Sequence, residues 1–185
     1  MEKVVTSQLQ EHLELHKLHT PTQSAYRKFH SVETALIRVQ NDIFRSLDDR
    51  KEVILVMLDF TAAFDMVIDH QMLMSHLNER YGLDGNVLKW ITSYLSGRNH
   101  TIKIGNHMSD TVLDPYGVPQ GSVIGPILFT LYTAPIHDII SSYNLCSMFY
   151  ADDTQIYTSC TPSDRDTALS NITYLMDIFK WAARE

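Results

Sequence analysis

Apolar residues recur at Val5, Leu9 and Leu13, every fourth position in a charged stretch, and this spacing predicts an amphipathic helix over residues 2–16. The polar run from His19 to Gln23, with Pro21 inside it, breaks that pattern. Ser31 stands where a helix N-cap is expected, and Ala35, Leu36, Val39, Ile43 and Phe44 form the predicted buried face of the helix it opens. The period then changes. "EVILVMLDF", residues 52–60, is a continuous apolar run, the pattern of a strand covered on both faces. Short helices are predicted around residues 69–79 and 85–95, separated by Gly82. "HTIKIGNHMSDTVL" reads as a hairpin turning at Gly105 and Asn106, and "GVPQGSVIGP" as a loop leading into a helix through about residue 140. "LCSMFYADDTQIYTS" predicts strands on either side of a tight turn. Thr161 or Ser163 caps a last helix, with Asp164 and Asp166 in its first turn, where carboxylates complement the helix dipole. Its apolar face is Ala168, Ile172, Leu175, Met176 and Phe179. The order α-α-β-α-α-β-β-α-β-β-α predicts a single layered α+β domain, antiparallel-rich, with helices mainly on one face of the sheet.

Composition narrows the class. A chain of 185 residues, 44% apolar and 20% charged, can bury one hydrophobic core and is not disordered. Cys146 and Cys160 form no C-x-x-C pattern, so neither a disulfide framework nor a zinc site is indicated, and an intracellular compartment, nucleus or cytoplasm, is expected. The N-terminus is not a signal peptide in pattern, and Pro126 and Pro135 interrupt the most apolar long stretch, so no membrane partner is expected. The net charge of −7 argues against a uniformly basic nucleic-acid-binding surface. Acid is nonetheless concentrated: residues 52–185 hold fifteen Asp and Glu against seven Lys and Arg. Such an excess is either solvated surface or a cation-holding site, and the positions of the acids decide between them.

Asp152 and Asp153 lie inside the apolar run "FYADDTQIY", where paired charges are costly unless a turn or a ligand accounts for them. Asp is a favoured turn residue, so a polar turn is the plain reading. Against it, the segment lacks the Gly or Asn that common hairpin turns prefer. A further carboxylate, Asp59, ends the other strongly apolar strand. Three converging carboxylates repel one another, and a divalent cation such as Mg²⁺, which takes oxygen ligands, resolves the conflict. Two such ions about 4 Å apart clamp the attacking and leaving oxygens of a phosphoryl transfer. The loop with Gly117, Gly121 and Gly125 permits close backbone approach, Gln120 offers an amide, and a helix N-terminus suits phosphate. Taken alone, such a loop is only a turn. Asp69 reads as a helix N-cap, Trp90 and Trp181 as core residues, and the histidines show no metal-ligand spacing.

"QSAYR", "LDFTAAFD", "GVPQGSVIGPILF" and "YADD" together resemble the reverse transcriptases of non-LTR retrotransposons, over the whole chain. The resemblance implies a polymerase palm-type sheet in residues 52–185 and a partial helical fingers segment in residues 1–51, with the thumb absent. It implies an RNA-directed DNA polymerase working with two Mg²⁺ ions, for which Mn²⁺ can substitute, on an RNA template, a DNA primer and deoxynucleoside triphosphates. Asp59, the backbone carbonyl of Phe60 and Asp152 resemble the metal ligands, and Asp153 resembles their less strictly ligating neighbour. Phe64 matches the bulky residue beneath the incoming sugar, where an aromatic wall excludes a 2′-hydroxyl. Gln120 and Gly121 match the lining of the nucleotide pocket, Tyr150 and Ala151 would flank the primer 3′ end, and Arg27 would contact template or phosphate. A full-length element would add the remaining fingers, the thumb and an endonuclease. "FDMVIDH" carries one residue more than the family's usual "FDTVDH". The alternatives are a catalytically inactive, truncated chain acting at most as a nucleic-acid or protein interaction module, and a different metal-dependent phosphotransferase.

Overall fold

Glu2–Leu15 is the first helix (α1) in the computed structural model, which describes residues 1–58, 68–119 and 121–182. There follow α2 (Val32–Asp48), β1 (Glu52–Leu58), α3 (His70–Glu79) and α4 (Gly85–Leu95). Four two-residue strands come next: β2 (Asn99–His100), β3 (Lys103–Ile104), β4 (His107–Met108) and β5 (Val112–Leu113). The rest is α5 (Gly125–Thr133), α6 (Pro135–Ser142), β6 (Cys146–Tyr150), β7 (Asp153–Cys160) and α7 (Arg165–Ala182). The single helix expected between the glycine loop and residue 140 is thus two. Pro135 has no amide to continue α5, and it is well suited to begin α6.

These elements form two compact units, each assembled from separated stretches of chain: Met1–His19 with Thr61–Thr133, and Thr20–Phe60 with Ala134–Glu185.

The second unit holds an antiparallel sheet in the order β1-β7-β6. Side chains alternate along its strands, and each face finds different helices. On one face Phe149 and Ile156 pack with Ile140 of α6 and with Ile172 and Leu175 of α7, and Ile54, Val56 and Leu58 of β1 join them. On the other, Ala35 and Val39 of α2 pack with Met148 and Tyr157, flanked by Ile43 and Tyr150. Two of the three helices therefore share a face. β1 is not covered on both faces as its apolar run suggests. It is a sheet-edge strand, and Leu55 and Met57 are 42% and 74% exposed. Nor does α2 bury its whole apolar set: Leu36 and Phe44 are exposed. The helix meets the sheet through the narrow stripe Ala35-Val39-Ile43, spaced by four residues.

Ser31 caps α2 in a reciprocal capping box with Thr34. Lower on that helix, the Tyr157 hydroxyl donates to Asp42 Oδ2 at 2.6 Å. Burial, and then the Asp42 carboxylate beside it, push the Tyr157 phenol well above its ordinary value near 10. Between the unfolded and folded values the unfolded chain has lost a proton that the folded one keeps, so stability falls as the pH rises. The contribution is complete below about pH 10 and disappears through the alkaline range above it. Tyr157→Phe is expected to cost about 1.5 kcal/mol at neutral pH, from the lost bond to a charged acceptor. It should also flatten the alkaline loss of stability, as read by urea unfolding at several pH values.

The first unit is tied by polar contacts between helices. His12 Nε2 of α1 donates to the Tyr81 carbonyl at 2.8 Å, and the Tyr81 hydroxyl donates to the Leu131 carbonyl of α5 at 3.2 Å. Leu9, Leu13, Leu73, Leu77, Ile91, Leu95 and Leu128 are buried. β3 and β4 form the hairpin at Gly105 and Asn106 that the sequence predicts, and β2 pairs with β5 behind it.

Candidate functional site

β1 and β7 are paired over their full shared length, and the register places Leu58 opposite Thr154. Asp59 is one peptide bond beyond Leu58, and Asp153 is one before Thr154. The apolar alternation of both strands enforces this register, since a one-residue slip would turn Ile156 and Val56 out of the core. The end of β1 and the β6–β7 turn therefore meet at the same end of the sheet. Asp59, Phe60, Phe64 and Gln120 lie outside the described residues.

Tyr150 pairs with Asp153, so the turn proper is Ala151 and Asp152. Ala151 has φ of 56°, a left-handed conformation that glycine favours and alanine resists. Asp152 is partly exposed and Asp153 exposed. Tyr150 is partly buried against the α2 side of the sheet. Replacing Ala151 by glycine should stabilise the chain by about 1 kcal/mol, measured by urea unfolding, because it relieves that backbone.

The turn is held from outside the hairpin. Thr22–Ser24 run beside β6: Phe149 N–H donates to the Thr22 carbonyl at 2.9 Å, and Ser24 N–H donates to the Phe149 carbonyl at 3.0 Å. This contact covers the outer edge of β6 and carries Gln23, 6% exposed, to the turn. Gln23 Oε1 accepts from the Ala151 N–H at 3.2 Å, and Gln23 Nε2 donates to the Ala151 carbonyl at 3.3 Å. The same Oε1 accepts from Ala25 N–H at 2.9 Å. Arg27 Nη1 donates to the carbonyls of Thr20 and Gln23, at 3.2 and 3.0 Å, so the arginine braces this loop. Tyr26, at φ of 58°, lies near enough to Asp152 for that carboxylate to raise its phenol, after burial, the larger cause, with Tyr150 adding less. Sequence reasoning singles out Arg27 in "QSAYR" but passes over Gln23. The signal available was a lone amide beside small residues in a motif that otherwise suggests a loop.

The glycine loop belongs to the first unit. Gly117, at φ of 74°, offers its carbonyl to His70 Nε2 and to Arg98 Nη1, each at 2.8 Å, and its N–H donates to the Ile68 carbonyl at 2.8 Å. His70 and Arg98 thus anchor the entry to the loop, roles not readable from their positions in the chain. Asp69 caps α3, accepting from Met72 N–H at 2.7 Å, as its place in the sequence predicts. Gly121 also has φ of 74°. At the end of the loop Ser122 Oγ accepts from Gly125 N–H at 3.0 Å, and a Cβ on Gly125 would collide with that hydroxyl.

Among the described residues no group of three or more His, Cys, Asp or Glu gathers around a common point. The described donor set is the pair Asp152 and Asp153, both oxygen ligands of the kind that Mg²⁺ and Mn²⁺ take, with Asp59 adjoining in sequence the strand residue that faces Thr154. That chemistry fits a divalent cation. No helix among the described residues is long and apolar enough to cross a membrane.

The profile of the family described as reverse transcriptase (RNA-dependent DNA polymerase) matches residues 1–183. The chain is 27% identical, over 99% of its length, to the probable RNA-directed DNA polymerase from transposon BS of Drosophila melanogaster. It is 29% identical, over 88% of its length, to the probable RNA-directed DNA polymerase from transposon X-element of the same fly. It spans about a fifth of the length of these relatives, 20% and 18%. Among solved structures, an apo telomerase from Candida tropicalis, truncated from the C-terminal domain, matches with a TM-score of 0.69 at 14% identity. That match covers 95% of this chain and 36% of the telomerase, and it bears on fold alone.

Proposed function

The chain belongs to the reverse transcriptase (RNA-dependent DNA polymerase) family, and we propose that it carries the palm centre for adding deoxynucleotides to a primer 3′-hydroxyl. The observation that carries this reading is the β1–β7 register, which brings the end of β1 to the Ala151–Asp152 turn. Asp152, Asp153, Asp59 and the backbone carbonyl of Phe60 would hold two divalent cations, Mg²⁺ or Mn²⁺ in its place. Bound there, the ions would supply activation of the attacking hydroxyl and neutralisation of the pyrophosphate leaving group.

The chain's own residues do the rest. Asp152 on the turn and Asp153 beside it would fix where the cations and the triphosphate come together, with the hairpin keeping them there. By its match to the family motif, Phe64 would close the space beside the sugar 2′ position and so select deoxynucleotides. By the same match, Gln120 and Gly121 would line the nucleotide pocket, and Tyr150 and Ala151 would flank the primer 3′ end. Arg27, whose Nη1 braces the loop, would contact template or phosphate. The partners are an RNA template, a DNA primer and deoxynucleoside triphosphates. In a full-length element residues 1–51 would extend into the fingers, and a thumb and an endonuclease would join.

Primer extension on an RNA template tests the reading. The expected result is incorporation that depends on Mg²⁺ or Mn²⁺, stops with chelator and strongly prefers deoxynucleotides. Absence of incorporation at high protein concentration, together with no Mn²⁺ binding in a paramagnetic resonance titration, would overturn it. Mn²⁺ binding without incorporation would instead favour an interaction module that has kept its carboxylates.

A further inference from the structure

We propose that Gln23 is a positioning residue for the metal site: its side-chain amide holds the β6–β7 turn in the one conformation that presents Asp152. The inference deepens the metal-site reading and rests on it. The β6–β7 turn carries an energetic mismatch. A two-residue hairpin turn is ordinarily closed by Gly or Asn, which accept positive φ without help. Here the first turn residue is Ala151 at φ of 56°. A non-glycine residue keeps such a backbone only where its surroundings impose it.

Among the described residues, one side chain hydrogen-bonds both backbone groups of Ala151. Gln23 grips both polar groups of Ala151, accepting from its N–H and donating to its carbonyl, at 3.2 and 3.3 Å. An amide can do both, since one end accepts and the other donates. The grip comes from a residue 128 positions away, so it is imposed by the fold rather than by the hairpin. Gln23 is itself immobilised. It is 6% exposed, its backbone is bridged to Phe149 of β6, and its carbonyl takes the Arg27 guanidinium at 3.0 Å. Its Oε1 also accepts from Ala25 N–H, so the amide cannot rotate without losing a bond at each end. The next residue after the gripped one is Asp152. Fixing the peptide on both sides of Ala151 fixes the direction in which the Asp152 carboxylate leaves the turn. Metal ligands need that preorganisation, and a loose turn would weaken the site without removing any ligand.

Gln23→Met keeps the volume and loses every hydrogen bond of the amide. Gln23→Glu keeps the acceptor for Ala151 N–H and loses the donor to its carbonyl. Two measurements on the full chain separate the roles: exchange of individual backbone amides by NMR, and Mn²⁺ binding by paramagnetic resonance. In Gln23→Met the Ala151 amide should exchange about tenfold faster, while the Ile156 amide in the sheet core keeps its rate. Mn²⁺ should bind about tenfold more weakly. Gln23→Glu should retain slow exchange at Ala151 and bind Mn²⁺ between the parent and the methionine variant. Unchanged Mn²⁺ binding in Gln23→Met would overturn the proposal. Equal acceleration at Ala151 and Ile156 would overturn it too, because the amide would then merely support the fold. If Asp152→Ala binds Mn²⁺ as tightly as the parent, the metal reading fails and the proposal with it. In that case slow Ala151 exchange would still mark the grip as real, which distinguishes the two failures.

Discussion

Asp152→Ala will lower nucleotide incorporation by about a thousandfold or more. The size follows from where the residue sits. Asp152 is the second residue of a two-residue turn whose first residue is in a left-handed conformation. The substitution should leave stability within about 1 kcal/mol of the parent, because a partly exposed turn carboxylate contributes little packing. Asp153→Ala is expected to lose less. Asp153 is exposed and already committed to the ladder opposite Tyr150. The measurement is single-nucleotide incorporation at saturating Mg²⁺, with urea unfolding as the control. Equal rates in Asp152→Ala and the parent would remove the assigned centre. A matching collapse of stability would show the residue to be structural.

Ile156→Ala should cost about 3 kcal/mol of stability, the usual penalty for emptying a fully buried aliphatic site. Ile156 is 0% exposed on the central strand of the sheet, and it packs with Ile140, Ile172 and Leu175 from two helices. Its register partners are Val56 of β1 and Ser147 of β6, so the cavity would loosen the strand pairings that bring β1 to the turn. Incorporation should therefore fall together with stability. Leu55→Ala provides the contrast on the exposed side of β1, with a cost below about 1 kcal/mol. Equal losses from the two substitutions, read from urea midpoints, would contradict the packing of this sheet.

α3 and α4 are legible almost to the residue, because Asp69 and Gly82 are local stop and start signals with a helical period between them. The hairpin at Gly105 and Asn106 is legible for the same reason. So is the turn at Asp152, and so are the family and the palm-type α+β fold, since ordered motif blocks and alternating patterns are properties of the chain itself. The face of β1 is a different matter. Leu55 and Val56 are chemically alike, and only the edge position of the strand and the placing of α2 leave one exposed and the other packed. Likewise Leu36 and Phe44 extend the apolar stripe of α2 and stay exposed.

The candidate site divides along the same line. Its chemistry, carboxylates closing two apolar strands, was determined by the sequence alone. Which residue grips the backbone of the turn before Asp152 was decided only by tertiary structure. Gln23 reaches Ala151 across 128 positions, and His70 and Arg98 converge on the Gly117 carbonyl from 47 and 19 positions away. A hydrogen bond between distant residues leaves no periodicity in the chain, because it depends on the docking of whole elements. The division into two discontinuous units is invisible for the same physical reason: local propensity and pattern select the elements, and only their mutual burial selects their partners.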